Sequence, residues 1–368
     1  MILAFFILGG FQETIKNKIY NFKGHLEITK YTLSSSFDDQ AINLNTDFYN
    51  HYEQYDYVEH VQEFAHKAAL LKTKEEVQGV VFKGFGRTFD STRFKQNLLE
   101  GRMFHFNDST YSKEVIISKK IARTLRLNVD DNVLIYFVQN PPRFRRLNIT
   151  GIYETGLEEF DQRLIIGDIG LVQRMNNWGD TLVGGYEVFI KDPKDLDKAE
   201  DQLFRVVDVD LYVDKVSDKY IQIFDWLGLL DQNVSIFLTL ILVVAAINMI
   251  SILLILIMER TYMIGVFMAL GATSRLIRRI FLFNGMILIY KGLFWGNLIA
   301  LTISYLQYEF KLIPLDPENY YMYYVPISWD FGKLITLNIL TFAMISLALL
   351  VPTVIISRIK PIAAIRFD

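Results

Sequence analysis

The chain of 368 residues contains no cysteine. Disulfides, thiol catalysis and zinc–thiolate sites are thereby excluded, and the redox compartment is left open. No GxxxxGK[ST] run is present, so the chain does not hold ATP through a P-loop of its own. HExxH is absent too, and no Ser/His/Asp set has a telling spacing. A net charge of −3 offers no basic surface for nucleic acid. Low-complexity tracts and internal repeats are also missing. Charge itself is missing from long stretches: residues 234–258 and 334–357 carry none, and residues 280–306 carry only Lys291. At 1.5 Å per residue, each exceeds the roughly 30 Å hydrocarbon core of a bilayer. A soluble core helix would show a polar face, and these runs have none.

What is present fits a mixed protein. A chain 51% hydrophobic and 14% aromatic is too apolar for an ordinary soluble protein and too polar for a bundle of membrane helices alone. Residues 1–11 are apolar, but as a helix they cover only about 16 Å. A signal peptide would need a basic n-region and a small-residue cleavage site. The alternative is the end of a first membrane helix, truncated, which continues as 13–22 with Ile15, Ile19 and Phe22 on one face. Residues 25–217 read as a water-exposed α+β domain. Strands are expected at 25–30, 58–71, 76–83, 114–118, 132–138, 147–153 and 185–191. Helices are expected at 48–55, 119–125, 169–175 and 193–204. Residues 217–232 lead as a helix into the first complete span, and 307–333, rich in tyrosine and proline, form an interfacial connector.

The fold class that follows is an α-helical transmembrane bundle of four helices, the first truncated, with a large extracytoplasmic α+β domain between helices 1 and 2. The domains are 1–22, 23–217 and 218–368, with complete spans at about 234–258, 280–306 and 334–357. Residues 259–279 carry Arg260, Arg275, Arg278 and Arg279 against Glu259 alone. The tail carries Arg358, Lys360 and Arg366 against Asp368, whereas the connector is net acidic. By the positive-inside rule the basic loop and the tail face the cytoplasm, and the α+β domain lies outside.

Several residues invite chemistry. His60, Glu63 and His66 form a metal-like group. On a helix the two histidines would sit about 240° apart, and on a strand Glu63 would point away from both, so a half-exposed strand is the plainer reading. No metal and no cofactor is implied. Glu158, Glu159 and Asp161 read as a solvated turn. Lys291, well inside a span, faces either a protein interface or wet cavity, or snorkels to the surface. Gly292 and Gly296 follow it as GxxxG, a spacing for close helix packing, and Asn248 offers an amide for helix–helix bonding. In the basic loop, Met263, Val266, Phe267 and Leu270 share one helical face, with Thr261 placed to cap its start and Gly271 its end. Thr273 or Ser274 would cap the next helix. Such a helix either lies on lipid or docks a soluble partner.

The run ERTYMIGVFMALGATSRLIRRIF after a long apolar span resembles the FtsX/MacB-type permease family of ABC systems, as does the closing RIKPIAAIRFD. Within that family GFQETIKNKIYNFKGHLEI, EVIISKKIARTLRLNVDDNV, TGIYETGLEEFDQ and DPENYYMYYVPI are similar to the LolC/LolE permeases of the lipoprotein-releasing system. The resemblance implies a multi-pass protein of the bacterial inner membrane with a periplasmic core domain. It implies no enzyme activity of its own. Expected partners are a dimer of cytoplasmic ATPase subunits, a second permease subunit, a lipoprotein substrate, the lipid bilayer and a periplasmic lipoprotein chaperone. It makes the basic loop the coupling helix that meets the ATPase, through Met263, Ile264, Gly265, Val266, Phe267, Ala269, Leu270 and Gly271. The family often has Glu at the position of Met263 and a basic residue at Met268. The hook that recruits a chaperone in one Lol permease corresponds here to the short QNPPRFRR, residues 139–146. An FtsX-like regulator of wall hydrolases and a MacB-like efflux permease are the alternatives.

Overall fold

A computed structural model describes residues 1–31, 38–107 and 110–356; the C-terminal motif at 358–368 lies outside the described residues. The chain divides into two compact units, one of 1–14, 225–315 and 323–368 and one of 15–224 and 316–322.

The second unit is built on strands. They are β1 (Leu26–Lys30), β2 (Ile42–Asn43), β3 (Val58–Lys72), β4 (Val77–Phe85), β5 (Leu98–Gly101), β6 (Glu114–Ser118), β7 (Asn132–Phe137), β8 (Arg143–Tyr153), β9 (Leu164–Asp168), β10 (Leu182–Val183), β11 (Gly185–Ile190) and β12 (Leu211–Lys215). Ten join one mixed sheet in the order β12-β1-β11-β3-β4-β9-β6-β8-β5, with β7 bridging β3 and β8. The long β3 pairs with β11 over its first half and with β7 over its last four residues, while β4 runs along its other edge. The pairings β3-β4-β9-β6-β8-β7-β3 therefore close on themselves, which removes free edges from that part of the sheet. Val115, Ile117, Ile135, Phe82 and Phe137 fill its interior.

A polar stripe crosses one face of this otherwise apolar sheet. Glu27, Glu187 and Gln62 stand in register on three adjacent strands, and His66 stands opposite Lys83. Two carboxylates on neighbouring strands repel each other, so this register needs cations. Lys83 Nζ lies 2.5 Å from Glu187 Oε1, and both side chains are fully buried. Gln62 Nε2 donates to the other Glu187 oxygen at 2.8 Å, and the Lys83 ammonium also sits over the Phe85 ring at 4.5 Å. Burial pulls the Lys83 ammonium down to about 8 against the opposing pull of Glu187. Lys219 Nζ approaches Glu27 at 3.0 Å. Burial works against the Glu27 carboxylate, but Lys219 and Lys23 outweigh it and hold it at about 2. Lys23 Nζ contacts His66 Nε2 at 3.4 Å, and His66 Nδ1 contacts Asp39 at 3.0 Å. With the lysine as donor, the ring donates through Nδ1 to Asp39.

The helical elements are α1 (Ile2–Lys23), α2 (Ile221–Glu259), α3 (Thr261–Ala269), α4 (Ser274–Phe310), α5 (Phe331–Ala348) and α6 (Leu350–Ile356), with short helices such as Lys119–Leu125 and Ile169–Asn176 between strands. Among the described residues three helices are long and apolar enough to cross a membrane: 221–259, 274–310 and 331–353. The 22 residues of α1 form one unbroken helix, as the amphipathic reading of 13–22 requires. The expected single helix over 334–357 is interrupted. A turn at Leu349 separates α5 from α6. Pro352 explains it, since proline supplies no N–H and its ring crowds the carbonyl four residues earlier, that of Ala348.

The solvated-turn reading of Glu158, Glu159 and Asp161 holds for the two exposed glutamates but is corrected for Asp161. These residues form a short helix, and Asp161 is buried. Its carboxylate accepts from the Thr155 N–H and hydroxyl at 3.0 and 2.8 Å and from the Gly156 N–H at 3.0 Å.

Candidate functional site

The basic loop forms the helix expected of it, held by different end groups. Thr261 does not cap it. Its hydroxyl bonds back to the Ile257 carbonyl at 3.0 Å, and Arg260 is the N-cap residue with no side-chain bond. The C-terminal end follows the expectation. Gly271 has φ +95°, the Ala272 N–H reaches the Phe267 carbonyl at 2.9 Å, and the Gly271 N–H reaches that of Met268 at 3.1 Å. This is the Schellman arrangement, in which glycine takes the left-handed position at no steric cost. Thr273 then caps α4 by accepting from the Leu276 N–H.

The two sides of α3 differ in what they touch. Ile264 and Gly265 are buried, and Ile264 joins a cluster with Met249, Leu253, Ile257, Ile277, Phe281, Ile289 and Leu349 from the helical unit. Met268 packs against the same cluster. On the other side Met263 is 37%, Phe267 43% and Leu270 79% exposed, Ala269 and Gly271 are exposed, and Val266 is intermediate. Tyr262, exposed as well, extends this surface and went unnoticed in the sequence. One face of α3 thus anchors the helix, and an apolar face is left uncovered in the single chain. Arg260, Arg275 and Arg279, which flank α3 in the sequence, are exposed, as is Glu259.

The residues expected to act inside the membrane are placed less compactly. Lys291 and Asn248 are exposed on the single chain. A Cβ at Gly292 or Gly296 would meet nothing within 4 Å. The close helix approach occurs instead at Gly285, where a Cβ would lie 2.6 Å from the Leu349 side chain. The interhelical amide bond is also elsewhere: Asn297 Nδ2 donates to Asn338 Oδ1 at 2.9 Å, joining α4 to α5. Gln307, buried at the end of α4, donates to the Val325 carbonyl and accepts from the Ile313 N–H, which folds the connector back on itself. Two asparagines on separate apolar runs were visible signals for the first of these.

His60, Glu63 and His66 are engaged one by one. His60 Nε2 meets the Thr88 carbonyl at 2.7 Å, and Glu63 accepts from the Tyr49 and Thr88 hydroxyls. A cavity of about 740 Å³ in the sheet unit is lined by Glu63, Arg145, Arg174 and Asp168 among others. Asp168 already accepts the Ser112 and Gly170 N–H groups, which makes it a structural cap rather than a free base.

Two family models match the chain. The family model of the MacB-like periplasmic core domain matches residues 1–206, and that of the FtsX-like permease C-terminal matches residues 235–361. The lipoprotein-releasing system transmembrane protein LolC of Buchnera aphidicola is 22% identical, over 95% of this chain and 86% of its own length. LolC of Neisseria meningitidis serogroup B is 22% identical over 100% of this chain and 91% of its own. The periplasmic region of MacB from Actinobacillus actinomycetemcomitans, a solved structure, aligns with 58% of this chain and 98% of its own at 14% identity and a TM-score of 0.38. With the periplasmic core model covering more than half of its length and the permease model following it, the chain belongs to the FtsX/MacB-type family and is an ABC-transporter permease of the LolC/FtsX/MacB type.

Proposed function

We propose that this permease releases lipoproteins from the inner membrane, driven by ATP hydrolysis on a separate dimeric ATPase that docks on α3. The observation that carries the reading is the divided surface of α3. Ile264 is rooted in the permease core, while Met263, Phe267 and Leu270 are presented outward. The relatives named for lipoprotein release favour that cargo over the efflux and wall-hydrolase alternatives. The energetics require an external source. Drawing an acyl chain from a bilayer costs about 0.8 kcal/mol per CH₂, so a lipoprotein with three chains demands tens of kcal/mol. A chain without a P-loop meets that demand through another subunit.

In this reading α1 contributes to a fourth span, Lys291, Gly292, Gly296 and Asn248 meet a second permease subunit, and a periplasmic chaperone receives the cargo. The basic loop lies in the cytoplasm and the sheet unit outside. Because the chain has no native thiol, single cysteines test this arrangement. Gln96→Cys should react with a membrane-impermeant maleimide in intact cells, and Ser274→Cys only after lysis. Labelling of Ser274→Cys in intact cells would reverse the topology and remove α3 from the ATPase side.

A further inference from the structure

Three of the segments that carry the family resemblance meet at one ammonium group. Lys18, on α1, donates from Nζ to the Thr155 carbonyl at 2.8 Å and to the Tyr321 carbonyl at 2.7 Å. Thr155 lies in the loop after β8, and Tyr321 lies in the connector between α4 and α5. Each partner is fixed in place. The buried Asp161 braces the Thr155–Gly156 loop through three hydrogen bonds. Gly156 has φ +73°, and a Cβ there would stand 2.6 Å from Lys18 Nζ and 3.2 Å from the Tyr321 oxygen, so a side chain would push the clamp apart. Tyr321 has φ 62°, a left-handed conformation that a non-glycine residue keeps only where its surroundings hold it. The carbonyl aimed at Lys18 belongs to that strained residue.

We propose that Lys18 is a positioning residue that fastens the α4–α5 connector to the periplasmic domain, so that movement of the membrane helices is delivered to that domain rather than lost in a loose loop. The inference rests on the permease reading above. Segment 316–322 packs with the sheet unit, yet the chain on either side of it continues into α4 and α5. A connector joined at both ends to membrane helices and pinned to a rigid sheet is a mechanical link. The pin is polar and peripheral, hence replaceable without emptying the core.

The test uses the full chain in native membranes, with Met322→Cys as the only thiol. Met322 is 5% exposed, so its labelling reports release of the connector. Lys18→Met, which keeps length and removes charge, should accelerate labelling about tenfold or more, because charged hydrogen bonds hold such a local opening closed. Lys18→Arg should stay near the wild-type rate, and Gly156→Ala should imitate Lys18→Met. Ala65→Cys, fully buried in β3, should remain unlabelled throughout, which shows that the domain stays folded. In the complex with its ATPase, Lys18→Met should keep ATPase binding and hydrolysis and lose most lipoprotein release. Unchanged labelling at 322 in both Lys18→Met and Gly156→Ala overturns the clamp. Faster labelling with undiminished release overturns its role in transmission. A wild-type complex that hydrolyses ATP and releases no lipoprotein would instead count against the proposed cargo, while the labelling result still judges the clamp.

Discussion

Lys83→Met should destabilise the periplasmic domain by about 3–5 kcal/mol, because it leaves Glu187 buried without its cation. The two side chains are fully buried and 2.5 Å apart. Water cannot reach Glu187 to compensate, and Gln62 is a neutral donor on one oxygen only. At roughly 2–4 °C per kcal/mol for a domain of this size, the melting transition should fall by about 6–20 °C. The double change Lys83→Met with Glu187→Leu should recover much of the loss, since a buried ion pair and an apolar pair of similar volume are often close in stability. Thermal unfolding of the purified chain, followed through the domain's Trp178, measures both. Single variants within about 1 kcal/mol of wild type would mean that the stripe is hydrated and that the pairing matters little.

Phe267→Asp should abolish co-purification of the ATPase while leaving the permease folded and inserted. Phe267 is 43% exposed and is not part of the buried cluster that holds Ile264, so its replacement does not open the permease core. Burying a side chain of this kind is worth roughly 1.5–3 kcal/mol, and an unpaired carboxylate in the contact would have to be desolvated. Together these exceed what a modest interface can absorb. Affinity purification in mild detergent reads the outcome. Undiminished ATPase recovery, with weaker attachment of the loop to lipid, would make α3 a membrane-surface helix.

Much of this architecture was legible because its signals are local. Charge-free runs marked the spans, strand-like apolar runs marked β3, β4 and β7, and Gly271 marked the end of α3. The losses have physical causes. β9 is buried on both faces and only five residues long, so it shows no alternation, and its role between β4 and β6 is set by pairing alone. β8 starts at Arg143 rather than 147 because RFRR continues a hairpin with β7, in which Phe144 and Arg146 are exposed and Arg143 and Arg145 half-buried, a pattern with no apolar face to mark it as a strand. The burial of Asp161 was not legible, since two of its three donors are the backbone N–H groups of Thr155 and Gly156, which leave no mark in composition; the third is the Thr155 hydroxyl. Within the single chain the close approach falls at Gly285, which faces Leu349, and Gly292 and Gly296 are left open; which glycine meets a neighbour depends on where the other helices run, and spacing alone does not carry that. At α3 the sequence revealed an apolar face, but only the fold distinguishes the side that anchors from the side that is offered.

The central claim is that this chain converts ATP hydrolysis on another subunit into extraction of lipoproteins. Its most direct test is release from proteoliposomes containing the permease with its co-purifying subunits and a triacylated lipoprotein, with a soluble lipoprotein-binding acceptor outside. ATP should move the lipoprotein into the soluble fraction, a non-hydrolysable analogue should not, and Phe267→Asp should suppress the transfer. Hydrolysis at the normal rate with the lipoprotein still in the bilayer would contradict the claim.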